Sequence, residues 1–235
     1  METWNDSGWS SDSVDGDSMI ELLHIDCLEY MKTVPDKYYE LAIVDPPYGI
    51  GENGQRNKTG DRPTVKWKNP KSQIYKSFDD SEIPTIQYFN QLSRISKNQI
   101  IWGGNYFIDY LYPSMGWIVW DKVVAEGEHL SMVELGWSSF KKKAMKFEFL
   151  WAGFKKAEQI DRIHPTQKPV SLYKWLLKNY AKEGDKIFDS HGGSMSLAIA
   201  AHDYHFDCTI CEIDKDYYDA AVKRFNQHRS QLSLV

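Results

Sequence analysis

The chain has 235 residues, 42% of them hydrophobic, and a net charge of −5. That length suits one α/β domain with a sizeable core, and no apolar run is long enough to span a membrane, nor is a signal peptide visible. Three cysteines are too few for a disulfide framework, which predicts a reducing, cytoplasmic setting.

Residues 1–18 are rich in Ser, Gly and Asp, carry Glu2, Asp6, Asp12, Asp15 and Asp17, and hold no Lys or Arg. Such a segment is expected to be a disordered acidic tail, with the folded domain over 19–235. Without those five carboxylates the rest of the chain is neutral. Met19–Ile25 reads as a strand, and Glu40–Val44 as a second, apolar one. Residues 51–80 lack a period and read as a long, mobile, basic loop. Ser81–Lys97 predicts a helix with Pro84 near its first turn. Strands are expected at Gln99–Trp102 and Gly116–Trp120, and a hairpin from Glu134–Phe140 and Phe147–Trp151. Then elements alternate: helix Pro169–Tyr180, strand Asp185–Asp189, small-residue turn Ser190–Ser194, helix Met195–His202, strand Phe206–Cys211, and a helix capped by Asp214 and ending near Gln231.

Two constellations carry chemistry. Asp45-Pro46-Pro47-Tyr48 follows the second strand directly, where open α/β sheets place ligands. Proline lacks an N–H and holds its predecessor extended, so a carboxylate and a stiff carbonyl stand side by side as acceptors. They suit a flat NH2 group, and Tyr48 adds a face on which a base could stack. The second constellation is the turn Asp189-Ser190-His191-Gly192-Gly193-Ser194, with Glu212 23 residues after Asp189. Glycines let a ligand approach the backbone, and a carboxylate at that spacing suits ribose hydroxyls. A full Gly-x-Gly-x-x-Gly fingerprint is absent.

Two basic clusters accompany these sites. One holds Arg56, Lys58, Arg62, Lys66 and Lys68, and the other Lys141, Lys142 and Lys143. Both are expected to flank the site and grip phosphates. Cys208 and Cys211 stand three apart in a predicted strand and should face opposite ways. His191, His202 and His205 have no evident acidic partner in sequence, so no metal is expected. Trp137 and Trp151 read as core.

Together with His164-Pro165-Thr166-Gln167-Lys168-Pro169, these motifs make residues 19–228 resemble the amino-methylating DNA methyltransferases of the permuted, beta-type order. The form of the turn looks like small phage and prophage members. The resemblance implies a Rossmann-like α/β fold with a mixed, mostly parallel sheet, helices on both faces and a small target-recognition region at about 122–163. It implies S-adenosylmethionine as cofactor and double-stranded DNA as partner, with direct transfer to adenine N6 of a flipped base. Asp45, Pro46, Pro47 and Tyr48 are then the catalytic set. Asp26, Cys27, Asp45, Gln167, Lys168, Asp189, His191, Gly193, Ser194 and Glu212 are the cofactor set, with Gln167 and Lys168 near the methionine carboxylate. Asp rather than Ser at position 45 favours adenine over cytosine N4; RNA, and a catalytically silent DNA-binding subunit, are the alternatives. Homodimer and hetero-oligomer, with or without a restriction partner, are both compatible.

The family's usual Gly-Ser-Gly reads Gly193-Ser194-Met195 here. Either Met195 is helical and the change is tolerated, or cofactor affinity is reduced.

Overall fold

A computed structural model describes residues 18–51, 80, 82–124, 131–152, 155–156 and 163–231, with backbone alone at 152, 155 and 156. The expected acidic tail, the cluster Arg56, Lys58, Arg62, Lys66 and Lys68, and the interior of the 51–80 loop lie outside the described residues.

An eight-stranded mixed sheet organises the chain. In chain order the elements are β1 (Ile20–His24), α1 (Cys27–Thr33), β2 (Tyr39–Val44), α2 (Ile86–Ile95), β3 (Ser96–Trp102), β4 (Ile118–Asp121), β5 (Val133–Ser138), β6 (Met145–Glu148), β7 (Trp151–Ala152), β8 (Lys155–Lys156), α3 (Val170–Tyr180), β9 (Lys186–Asp189), α4 (Ser196–Asp203), β10 (Asp207–Glu212) and α5 (Lys215–Gln231). The sheet runs β1-β10-β9-β2-β3-β5-β4-β6, with β5 antiparallel to both neighbours and every other pairing parallel.

Alternation along the buried strands divides the core in two. Leu41, Ile43, Ile187 and Ile210 pack with α3, α4 and α5. Ala42, Val44, Phe188 and Cys211 pack on the other face with α1 and α2. Cys208 and Cys211 fall on opposite faces, as residues three apart in a strand must. Among the described residues no helix is long and apolar enough to cross a membrane.

Several boundaries differ from expectation. The helix expected from Ser81 begins at Ile86, because Pro84 keeps Ile83 extended and Thr85 is itself extended at the N-cap. Its end is closed by the Ser96 hydroxyl, which donates to Leu92 O, and β3 starts there without a loop. Helix α1 has no counterpart among the predicted elements; Asp26 caps it by accepting from Leu28 N and Glu29 N. The hairpin around the lysine cluster does not form. β4 lies between β5 and β6, pairing antiparallel with the first and parallel with the second. Within the segment expected to recognise a target, β5 and β6 belong to the main sheet.

Candidate active site

Three carboxylates stand at neighbouring strand ends. Glu212 ends β10, Asp189 ends β9, and Asp45 follows β2, in the spatial order β10-β9-β2. Between β9 and β2 the chain changes direction: α4 returns over one face and α2 over the other. That crevice is the usual ligand site of an open α/β sheet.

Asp45 is heavily engaged. The Tyr48 hydroxyl donates to Oδ1 at 2.6 Å, and the Lys168 ammonium donates to Oδ2 at 2.5 Å. Each oxygen keeps a further lone pair. Among the described residues no backbone donor reaches the Pro46 carbonyl. The following turn is clamped by buried Asp80, whose Oδ1 accepts from Tyr48 N at 2.7 Å and Gly49 N at 3.0 Å. The Tyr48 ring lies against Gly103, where a Cβ would sit 2.2 Å from Cε1. Tyr106, 44% exposed, stacks on that ring at 5.1 Å. Burial, and then the Asp45 charge, hold the Tyr48 hydroxyl well above its ordinary pKa, so it remains a donor.

Lys168 is 5% exposed and precedes Pro169, the N-cap of α3. It was expected beside a ligand carboxylate; among the protein groups its ammonium bonds Asp45 and lies 3.1 Å from Glu134 Oε2. The other Glu134 oxygen pairs with Lys122 at 2.5 Å. Burial works against the Glu134 charge, but the two ammonium groups win and lower its carboxyl to about 2. Burial likewise opposes the Lys168 charge, and Asp45 and Glu134 reverse that, leaving its pKa raised. Gln167 is buried: its backbone carbonyl accepts from Trp151 Nε1 and its Oε1 from Ile163 N, while its Nε2 has no hydrogen-bond partner among the described residues. Trp137 and Trp151 are core residues, as read.

The turn after β9 is held by its acids. Asp189 accepts from His191 N at 3.0 Å, and Glu212 from Gly193 N at 2.7 Å and Asp214 N at 2.8 Å. Burial, with the charges of Asp45 and Glu212, pushes the Asp189 carboxyl up to about 8. Burial also raises Glu212 and lowers His191 to about 4, so that ring is neutral at pH 7. Gly193, at φ +50°, lies against the His164 ring, whose nearest atom is 3.8 Å from a Cβ built there. Ser194 faces Ser196, and its carbonyl accepts from Arg224. Met195 is not helical: it is left-handed at φ 53°, ψ 38° and fully buried. A methionine there carries roughly 1–2 kcal/mol of backbone strain, offset by its place in the core. Asp26 and Cys27 stand beside the Glu212 end of β10, where Ile25 N donates to Glu212 O. Burial, and then Asp26, push the Cys27 thiol up to about 12, so it is no nucleophile.

Lys141, Lys142 and Lys143 are not brought to this site. Because β5 is antiparallel, with Gly136 opposite Trp102 and Ser138 opposite Ile100, the chain leaves it at the end of the strands opposite the site. There Lys142 donates to Asn179 O at the end of α3, a helix about 16 Å long that starts beside Lys168. The same reversal carries Glu134 to the site. His202 does acquire an acidic partner: Asp203 Oδ1 lies 3.5 Å from it and 2.6 Å from His228, a trio able to hold a metal ion, while Lys174 pairs with Oδ2 at 2.7 Å.

Glu134, Lys122, Asp80 and Tyr106 were not singled out from sequence. Glu134 and Lys122 had no motif to mark them, and Asp80 closed what read as a loop.

The N6/N4 methyltransferase family, described as DNA methylase, matches residues 39–223. The Type II methyltransferase M2.LlaDCHI of Lactococcus lactis subsp. cremoris is 23% identical over 239 residues, covering 88% of this chain and 89% of that protein. In fold the chain is similar to the M1.HpyAVI–SAM complex, with TM-score 0.56, 15% identity and coverage of 88% and 100%. It is equally similar to the PvuII DNA methyltransferase, described as cytosine-N4-specific, with TM-score 0.56, 11% identity and coverage of 92% and 93%.

Proposed function

Because the chain belongs to the N6/N4 DNA methylase family, we propose that it transfers a methyl group from S-adenosylmethionine to the N6 amino group of adenine in double-stranded DNA. The observation that carries this reading is the juxtaposition of Asp45 and the Pro46 carbonyl with the Asp189–Glu212 strand ends across one crevice.

The residues fit the cofactor. Gly193 presents left-handed backbone without a side chain at the turn, bordered by the His164 ring, and the Glu212 carboxylate keeps lone pairs beyond the two backbone N–H groups from which it accepts. Glu212 would hold the ribose hydroxyls, while Asp26 and Cys27 would border the adenine. When bound, the cofactor supplies an electrophilic sulfonium methyl.

The protein's share is positioning and charge. An adenine amino nitrogen is a weak nucleophile because its lone pair is delocalised into the ring. Asp45 and the Pro46 carbonyl, accepting its two hydrogens, favour a pyramidal nitrogen with a localised pair. Positive charge then develops on that nitrogen against a fixed carboxylate. Asp45 is also the nearest acceptor for the proton the methylated nitrogen must lose. A flipped base costs about a few kcal/mol to unstack, and stacking at Tyr48 returns on the order of 1–3 kcal/mol. The base must share the Tyr48 ring with Tyr106 or displace it. Asp rather than Ser at position 45 supports adenine over cytosine.

The test is methylation of plasmid DNA by the purified protein, with nucleosides identified by mass spectrometry. N6-methyladenine is expected. N4-methylcytosine would correct the base, and no methylated nucleoside despite bound cofactor would support the silent alternative.

A further inference from the structure

We propose that Glu134 is a positioning residue that takes the Lys168 ammonium over from Asp45 when the target amino group arrives, an inference that rests on the amino-methyltransferase reading. Lys168 Nζ lies among three oxygens: Asp45 Oδ2 at 2.5 Å, Glu134 Oε2 at 3.1 Å and the Tyr48 hydroxyl at 3.3 Å. Only the Glu134 oxygen is held in reserve. It is buried and in ion-pair contact with the ammonium, without the alignment of a full hydrogen bond, and among the described residues it has no other partner. A small rotation of the lysine terminus completes that bond.

The reserve acceptor answers a charge problem. Asp45 must accept from an arriving NH2 group through an oxygen that already holds Lys168 or Tyr48, so the lone pair it still has is weakened by a donor already bound. Lifting a buried ammonium off its carboxylate with no second partner would cost several kcal/mol. Glu134 removes most of that cost. Lys122 grips the far oxygen of Glu134 and keeps it ionised and aimed. The four groups alternate in sign: Lys122, Glu134, Lys168, Asp45. Moving Lys168 along that row breaks no charge balance and frees Asp45 Oδ2 for the substrate hydrogen. No bond is made or broken and no proton moves; an ammonium changes its acceptor.

Glu134→Gln tests this, since it keeps the shape and removes the charge. With a DNA substrate, kcat should fall about 10–100-fold, while cofactor Kd and DNA KM stay within threefold. Glu134→Asp, which restores the charge, should recover part of the lost kcat. A second readout does not depend on turnover. The 15Nζ resonance of Lys168, assigned with Lys168→Met, should titrate at least one pH unit lower in Glu134→Gln than in wild type. An unchanged kcat, or an unchanged Lys168 titration, overturns the proposal. So does a loss of thermal stability and cofactor binding that Glu134→Asp fails to restore, because that marks a purely structural residue. A wild-type protein that methylates no DNA overturns the functional reading instead, and the control reaction shows it.

Discussion

The two halves of the crevice solve opposite electrostatic problems. At the Asp45 end, buried carboxylates come with buried cations, and Lys168 and Lys122 keep the local charge balanced. At the Asp189 end, the only donors to the carboxylates among these contacts are backbone N–H groups, and both acids have raised pKa values. The first end is complete in itself and must be opened to work. The second is incomplete and gains from a ligand that brings hydroxyls or positive charge.

The largest expected separation between the halves comes from Asp45→Ala. Methyl transfer should fall at least about a thousandfold, while cofactor Kd, by titration calorimetry, changes less than threefold. Full activity in that variant would remove Asp45 from the chemistry. Glu212→Gln should do the reverse: cofactor affinity falls about 10–100-fold, and a saturating cofactor restores most of the rate. Equal cofactor affinity in the two proteins would mean that Glu212 serves only the loop.

Met195→Gly comes next, and magnitudes decide its sign. The change relieves roughly 1–2 kcal/mol of left-handed strain but empties a buried site, at about 2–5 kcal/mol. Chemical denaturation should show a net loss of about 1–3 kcal/mol. A gain would show that the strain, and not the packing, dominates there.

The smallest effect is a pH-dependent one at Asp189. Its folded pKa of about 8 lies above the ordinary value of 3.8. The unfolded carboxyl ionises first as pH rises, so the folded state holds the extra proton across that window. The contribution of Asp189 to stability is therefore present below about 4 and lost as pH rises toward 8. Asp189→Asn should raise the melting temperature by a few degrees at pH 8 and leave it unchanged near pH 4, while weakening cofactor binding. An equal shift at both pH values would place the origin elsewhere.

Much of this was legible in sequence because it is local. Apolar strands that end in Asp45 and Asp189, the turn between β9 and α4, and the Asp214 cap each announce themselves within a few residues. Helix α1 escaped because seven residues with one buried side chain leave little periodicity to read. The order of β4, β5 and β6 escaped because antiparallel insertion is a long-range choice. Two errors share that cause: Lys141–Lys143 were expected at the crevice and Glu134 was not. The Asp45–Lys168 pair was not foreseen because a sequence does not show which carboxylate a long side chain will find.

Asp80 has one more consequence. Its carboxylate holds Tyr48 N and Gly49 N, and its own carbonyl accepts from Gly51 N. One side chain and one carbonyl thus fix three successive stretches of backbone at the base of the crevice, and Asp80→Ala would leave the Tyr48 and Gly49 N–H groups unpaired, at about 1–3 kcal/mol each.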